Sequence, residues 1–422
     1  MINNKVVNRL LFILAFVIML VRGFIYTNSL PWLHYFCLAG KTALIPIALA
    51  LALRTPGKPT GIDYGLLAYC AAMFACCLIN HTSVLSLTLL SLDIFIFWAL
   101  CRWFFTLRSL FPLKVITCVL LLFIALNFVL LLWRPTGLWL SDINGVMYFL
   151  LGGNYNNMGK AFFIAIITNM LLLRFLQQPA TREAALERLF YRVTLVVTIA
   201  LSLISLLIVG SKTSLIGIVL IVGFGALLYV PRRIVRTCCL TAFVALYFVL
   251  QIWAVFFDMS TPSPKAEYIV EEILHKDMTF TERTYVWDRA KQLIRQRPAV
   301  GYGSHDLEWY MNDLNVLTTH NLVLHILLKG GWTALTAFII LIGLFHFRLL
   351  RRRQLAGASL QRWADTRYIL LFGMWTFLFM MIFEVYTFFS LSILIIYAGY
   401  LDRLNDGPAA PAETGGTHIG VS

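Results

Sequence analysis

The chain has 422 residues, of which 60% are hydrophobic and only 13% are charged, and its mean hydropathy is +0.81. Because soluble domains are about half apolar and about a quarter charged, this composition excludes an ordinary soluble protein. The net charge of +14 does not indicate a nucleic acid partner, because Lys and Arg punctuate the apolar runs instead of clustering in one segment.

Twelve apolar runs are long enough for helices in a bilayer, whose hydrocarbon core is about 30 Å thick. Backbone polar groups must be satisfied within the segment in lipid, so we expect helices. The predicted helices span residues 10–27, 31–53, 62–80, 83–101, 112–133, 159–175, 192–210, 213–231, 237–257, 320–347, 367–384 and 387–401. The first run lacks a small-residue cleavage site, so we interpret it as a retained helix. The predicted fold is an all-α, polytopic integral membrane protein with about 12 transmembrane helices.

The positions of the basic residues predict the topology. Every short segment on one side of the predicted bundle carries Lys or Arg, as cytoplasmic loops do. We therefore expect an inner-membrane protein with both termini in the cytoplasm and one large periplasmic or extracellular loop containing short helices. The predicted regions are N-terminal helices at 1–130, central helices at 131–257, the outward loop at 258–319, C-terminal helices at 320–403 and a disordered tail at 404–422.

The eight cysteines indicate neither a disulfide framework nor a CxxC metal site, because they lie within apolar runs or at their ends. Arg22, Lys41, Asp93 and Glu384 are charged residues that fall inside predicted helices, where charges are costly and are usually paired or functional. Arg22 suits either snorkelling or a structural ion pair with Asp93, and Lys41 also lies within a span. Glu384, near the outward end of its helix, suits either a structural role or a cavity-facing one.

The outward loop contains the sequence ERTYVWDRAKQLIRQRP at 282–298, in which Tyr285, Ala290, Leu293 and Ile294 recur near helical spacing. This pattern predicts an amphipathic helix on or near the membrane surface. Arg283 and Arg289 would differ in direction by about 120° on such a helix. They therefore cannot both face one ligand, and a solvated basic face is the alternative interpretation.

A histidine follows the loop in the sequence THNLVLHILLKGGW at 319–332. His320 opens the next predicted helix with Asn321 beside it, and histidine can act as a general base near neutral pH. The alternative role is a capping or interface histidine. His325 is a poor metal partner for His320, because five residues separate the two rings by about 140° around a helix. Lys212, in GSKTS at 210–214, is placed either to snorkel or to bind phosphate. A histidine base with outward cations fits a phosphate-bearing donor and a hydroxyl acceptor.

The order of five motifs resembles the bacterial O-antigen ligase/polymerase superfamily. The motifs are NYNNMGKAF at 154–162, GSKTSL at 210–215, TFTERTYVWDRA at 279–290, RPAVGYG at 297–303 and THNLVLHILLKGG at 319–331. The resemblance covers about residues 130–345. It implies a glycosyltransferase that moves a glycan from undecaprenyl diphosphate by a metal-independent, inverting reaction without a cofactor.

The same resemblance implies roles for individual residues. His320 would activate the acceptor hydroxyl, and Arg283 would bind the donor diphosphate. Lys212 stands where many relatives have Arg, which keeps the charge but loses the bidentate geometry of guanidinium. Arg289, Asn321 and Glu384 are secondary candidates, and no residue is predicted to bind a metal.

Three functions remain open from the sequence. The first is a polymerase of undecaprenyl-diphosphate-linked repeats for O-antigen, capsule or exopolysaccharide, which the TFTERTYVW and PxxGxG segments resemble more closely. The second is an O-antigen ligase that uses lipid A–core as acceptor. The third is a lipid-linked oligosaccharide flippase, which is disfavoured because the long loop occurs once and the candidate residues gather at one boundary. Expected partners are the lipid-linked glycan, the acceptor, membrane lipids, a chain-length regulator and a flippase.

Overall fold

The computed structural model describes residues 5–27, 30–140, 147–176, 181–230, 232–256, 283–305, 307–314, 318–351 and 357–404. Most of the predicted tail at 404–422 and the first part of the predicted loop at 258–319 lie outside the described residues.

The described residues form fourteen α-helices and one two-stranded antiparallel hairpin. The helices are α1 Lys5–Phe24, α2 Pro31–Arg54, α3 Gly61–Ile79, α4 Leu85–Thr106, α5 Phe111–Trp133, α6 Met158–Phe175, α7 Arg182–Val209, α8 Lys212–Leu227, α9 Arg233–Phe256, α10 Arg283–Gln296, α11 Leu307–Leu314, α12 Leu322–Leu350, α13 Gly357–Met380 and α14 Phe388–Tyr400. The strands are β1 Trp139–Leu140 and β2 Met147–Tyr148.

Each of the twelve predicted apolar segments coincides with a helix, and α10 and α11 are short helices between α9 and α12. Eight helical segments of the described chain are long and apolar enough to cross a membrane, and α8 is a shorter apolar helix. The chain is therefore a multi-pass helical membrane protein, while the number of about 12 spans stays a prediction. Helix α7 begins about ten residues before its predicted start, because its polar first turns continue the helix from a cap at Thr181, whose side chain accepts a hydrogen bond from the Ala184 backbone N–H.

The core is built around α6 and α14, which are enclosed by neighbouring helices. All residues from Phe389 to Tyr400 are buried, as are most residues of α6. By contrast, α7 and α9 expose large apolar side chains such as Val196, Leu207 and Val249. The apolar surface that these helices expose suits contact with lipid.

Asp93 forms an ion pair inside the bundle, and its partner is Lys41, not Arg22. Lys41 of α2 lies 2.7 Å from the carboxylate of Asp93 on α4, and both side chains are nearly inaccessible to solvent. The Lys41 ammonium also donates to the Leu89 backbone carbonyl at 3.2 Å. A buried charge is tolerated only with such partners, so this pair joins α2 to α4.

Helix α12 is broken at Gly331, which has φ 57° and ψ −160°. The RPAVGYG segment packs against this break and forms hydrogen bonds with the backbone N–H and carbonyl groups that lose their helical partners there. Trp332 N–H donates to the Pro298 carbonyl, and Tyr302 and Gly303 N–H donate to the Leu328 and Lys329 carbonyls, all at 2.8 Å. Irregular backbone at membrane depth is tolerated where protein satisfies it, so this motif completes a broken membrane helix.

We expect Gly331→Ala to destabilise the protein. A Cβ at this position would lie 2.4 Å from the Ala299 carbonyl carbon and oxygen, and the positive φ is strained for any residue with a side chain. Such backbone strain alone costs about 1–3 kcal/mol. The matched control is Gly343→Ala in the same helix, where a Cβ would have no neighbour within 4 Å. Thermal unfolding in detergent should show a lower Tm for Gly331→Ala only; equal Tm values would contradict this account of the break.

Candidate functional site

The candidate site is centred on the turn at residues 381–387, between α13 and α14. Helix α13 ends at Met380, so Glu384 lies in this turn and not within the helix predicted to end there. Its side chain is buried, with only 4% of the residue exposed. A carboxylate so far from water needs positive or hydrogen-bonding neighbours, and two of the sequence-predicted residues supply them.

Glu384 brings together Arg283 and His320. One carboxylate oxygen, Oε1, lies 3.5 Å from Nδ1 of His320, and the other, Oε2, lies 3.6 Å from a terminal nitrogen of Arg283. His320 Nδ1 and Glu384 Oε2 are buried atoms without a hydrogen bond to any described residue. Buried polar atoms are usually satisfied, and orphaned ones in a cleft often have a functional role. The three side chains therefore lie close together without hydrogen bonds between them.

Local backbone geometry holds His320 in place. The residue has φ 51°, in the left-handed region, where His is tolerated better than bulky or branched residues. Helix α12 begins two residues later than predicted, at Leu322, with Asn321 as its N-cap. The imidazole is partly accessible, with 25% of its side chain exposed, so it can reach a bound molecule.

Asn321 ties this segment to α9 and to the 381–387 turn. Its side-chain oxygen Oδ1 accepts hydrogen bonds from Leu324 N–H and from the side-chain amide of Gln251 on α9, both at 3.1 Å. Its side-chain nitrogen Nδ2 donates to the Ile382 backbone carbonyl at 3.2 Å. Leu322 N–H also donates to the Met381 carbonyl at 2.9 Å. Asn321 therefore positions His320 against the 381–387 turn and has a structural task.

The two arginines of α10 point to different neighbours, in keeping with their predicted separation around the helix. Arg283 faces Glu384, with 17% of its side chain exposed. Arg289 instead donates through Nε to the Asp313 carbonyl at 3.1 Å and joins α10 to α11. The structure thus brings Arg283 to His320, but not Arg289.

The apolar face of α10 packs against α12. Trp287, Ala290 and Leu293 are buried, whereas Tyr285, which the sequence placed on this face, is 64% exposed. Tyr285 is exposed because the buried face of α10 runs through Val286 and Trp287, one to two residues further along the helix. This packing fixes the helix that carries Arg283.

A second hydrogen-bonded group links the motifs around Asn156 and Lys212 to the same turn. The Ser211 hydroxyl donates to the Asn156 side chain at 3.1 Å, and the Ser214 hydroxyl donates to the Asn156 backbone carbonyl at 2.9 Å. Ser214 also lies 3.2 Å from the Tyr386 hydroxyl. The start of α8 therefore packs beside the 381–387 turn.

Lys212 is the first residue of α8, and its side chain is exposed. Within the part of the chain that the structure describes, no hydrogen bond or ion pair joins it to Arg283, His320 or Glu384. Its neighbours Ser211 and Ser214 are the residues that connect this motif to the turn. The structure places Lys212 at the border of the site, open to solvent.

Sequence reasoning missed Tyr386 and Gln251. Burial raises the pKa of Tyr386 above its ordinary value, so the phenol stays protonated and can donate a hydrogen bond. The available signal for Tyr386 was its place two residues after Glu384. Gln251 had a signal as a lone amide in an apolar run, where a polar group requires a partner.

Groups of three or more His, Cys, Asp or Glu side chains suited to a metal ion are absent from the described residues. The arrangement combines an imidazole, a buried carboxylate that can orient it, and a guanidinium that can bind an anion. A carboxylate against Nδ1 leaves the other ring nitrogen free to accept a proton. This set can support transfer of an anionic leaving group to a hydroxyl.

The comparison with protein families agrees with this chemistry. Residues 197–339 match the family model described as O-antigen ligase. The match confirms the predicted resemblance to the O-antigen ligase/polymerase superfamily. No curated protein matches the chain.

The O-antigen ligase match covers about a third of the chain and includes Lys212, Arg283, His320 and Asn321. Glu384 and the 381–387 turn lie beyond its end, so their connection to the family segment comes from the fold alone. The family match supports a membrane function of the O-antigen ligase/polymerase type and suggests an enzyme that transfers glycosyl groups.

Proposed function

We propose that the protein is a membrane glycosyltransferase that polymerises undecaprenyl-diphosphate-linked oligosaccharide repeats into a surface polysaccharide. The observation that carries the proposal is the meeting of His320 and Arg283 at the buried carboxylate of Glu384. Within a helical bundle, this gives a lipid-linked donor a base and a diphosphate-binding cation at the same place.

The proposed reaction uses His320 as the general base. The imidazole takes the proton of the acceptor hydroxyl while its oxygen attacks the anomeric carbon of the donor glycan. The bond from that carbon to the diphosphate oxygen breaks, and undecaprenyl diphosphate leaves with the electron pair. Attack opposite to the leaving group inverts the anomeric configuration. Glu384 stabilises the imidazolium that forms, as a buried carboxylate does in other base-orienter pairs.

Arg283 is proposed to bind the donor diphosphate, because guanidinium can contact two phosphate oxygens in one plane. Glu384 would hold this guanidinium until the donor arrives. Lys212, open to solvent at the start of α8, is proposed to approach the same diphosphate from the other side. The reaction is proposed to need no metal, since the leaving charge is met by these two cations.

An O-antigen ligase is the second candidate, and the description of the matched family favours it. The donor and the chemistry would be the same, and the acceptor would be lipid A–core. The proposed site does not depend on this choice, because the base and the diphosphate contacts serve either acceptor.

Deletion of the gene, followed by gel analysis of lipid-linked and surface glycans, tests both candidates. A polymerase predicts loss of long chains and accumulation of single repeats. A ligase predicts long chains that stay on the lipid carrier, together with bare lipid A–core. Unchanged surface glycans would contradict the proposed function.

The proposal requires the site to lie on the outer side of the inner membrane, with both termini in the cytoplasm. A cysteine at Ser304 should therefore react with a membrane-impermeant maleimide added to whole cells, whereas a cysteine at Ser359 should react only after permeabilisation. Labelling is compared with that of the parent protein, which has its own cysteines. The reverse pattern would contradict the topology and the position of the site.

A further inference from the structure

A second feature of the same end of the bundle is a cavity of about 490 Å³ beside the candidate site. It is formed by α3, α4, α11, the first half of α12 and the 381–387 turn. Thr318 and Leu322 line it on either side of His320, and Tyr386 lines it next to Glu384. Its size lies in the range of pockets for small organic ligands, about 300–1,000 Å³.

The cavity wall is rich in aromatic rings and polar groups. The rings of His305, Tyr310 and His325 line it, and Tyr310 stacks on His325 with ring centroids 6.0 Å apart. Ser86 and Ser304 add hydroxyls 3.2 Å apart. Flat rings offer surfaces for the C–H faces of sugars, and hydroxyls offer hydrogen bonds to their oxygens. This lining suits a glycan.

One charge stands out in this wall. Lys329 places its ammonium 5.6 Å from the ring centroid of Tyr310, and no Asp or Glu occurs among the described residues that line the cavity. Within the described chain, no ion pair of Lys329 forms. A cation that faces a cavity without a carboxylate there favours an anionic ligand.

The fold fixes Lys329 relative to the reacting groups. Asn321, His325 and Lys329 follow one another at four-residue steps, so they share one face of the first half of α12. Eight residues of helix separate Asn321 from Lys329 by about 12 Å. The helix break at Gly331 and the bond from Gly303 N–H to the Lys329 carbonyl hold the far end of this half in place. An anion at Lys329 would therefore belong to a part of the glycan remote from the reacting hydroxyl.

We propose that this cavity is the acceptor subsite and that it selects a glycan with an anionic sugar substituent, a carboxylate or a phosphate, which binds Lys329. The inference rests on the proposed function, because an acceptor subsite requires a transferase. Residues of α3 and α4 line the cavity, whereas Arg283 of α10 does not. The donor diphosphate and the acceptor would thus approach His320 from different sides.

Calorimetry with the full-length protein tests the subsite. The probes are a glucuronate-bearing trisaccharide, its carboxyl-reduced form and the corresponding phosphorylated trisaccharide. One charge-assisted contact typically raises affinity by a factor of about ten to a hundred. We therefore expect the anionic probes to bind more tightly than the carboxyl-reduced probe by that factor. The two anionic probes distinguish a carboxylate from a phosphate substituent.

Lys329→Met should remove this preference, Lys329→Arg should retain most of it, and Arg295→Met should leave it unchanged because Arg295 is exposed on α10 outside the cavity. Equal binding of neutral and anionic probes by the wild-type protein would overturn the inference. So would a preference for the anionic trisaccharides that survives Lys329→Met.

Release of undecaprenyl diphosphate during glycan transfer separates this inference from the proposed function. Transfer to neutral and anionic acceptors at equal rates would keep the function and overturn the acidic subsite. Lys329-dependent binding of anionic glycans without any release of the lipid diphosphate would support the subsite and contradict the glycosyltransferase.

Discussion

His320→Ala is expected to reduce glycan transfer by about 10²- to 10⁴-fold, the usual contribution of a general base. The reason is the position of the imidazole, which has Nδ1 against Glu384 and is partly open to solvent. Because Asn321 holds the start of α12 through its own bonds, the variant should still insert and fold. The measurement is the rate of lipid diphosphate release by purified protein.

His346→Ala is the matched control for this variant. His346 lies on the second half of α12, where its Nε2 accepts a hydrogen bond from the Trp375 indole at 2.8 Å. Its removal should lower stability with little effect on the rate of the folded protein. Transfer by His320→Ala at nearly the wild-type rate would mean that another group accepts the proton.

Arg283→Ala is expected to lower transfer about ten- to a hundredfold, because a charge-assisted contact to phosphate is typically worth about 1.5–3 kcal/mol. Arg283→Lys should recover only part of the activity, since an ammonium cannot grip two phosphate oxygens in one plane. The effect should appear in the KM for the lipid-linked donor as well as in kcat.

Arg289→Ala and Arg295→Ala serve as controls on the same helix. Arg289 contacts Asp313 of α11, and Arg295 is exposed, so neither should alter donor binding as strongly as Arg283→Ala. Equal and mild effects of all three variants would indicate a solvated basic face, which is the other interpretation that the sequence allowed.

The helices were predictable because a long apolar segment in lipid must satisfy its backbone hydrogen bonds within itself, which it does as an α-helix. The break in α12 was less accessible. Gly330 and Gly331 mark a point where a helix can break. The sequence does not show that residues 298–303 form backbone hydrogen bonds with this break. The early start of α7 was also hidden, since its first turns are polar and carry no apolar periodicity.

Of the candidate site, the sequence predicted Arg283 and His320 and named Glu384 as a secondary candidate, but it did not show that Glu384 joins the other two. Glu384 follows His320 by two helices, and only the packing of the 381–387 turn against Asn321 brings the two side chains together. The hydrogen bonds of Asn156, Ser211, Ser214 and Tyr386 likewise connect segments that are distant in the chain. Such convergence depends on tertiary packing, which periodicity does not specify.

The most direct test of the account is a reaction that contains only purified protein, a lipid-diphosphate-linked glycan, an acceptor glycan or lipid A–core, and a metal chelator. The account predicts that each glycosidic bond formed releases one undecaprenyl diphosphate, and that His320→Ala lowers both products by the same factor. Absence of transfer by the folded wild-type protein with either acceptor, or transfer that requires an added metal ion, would contradict it.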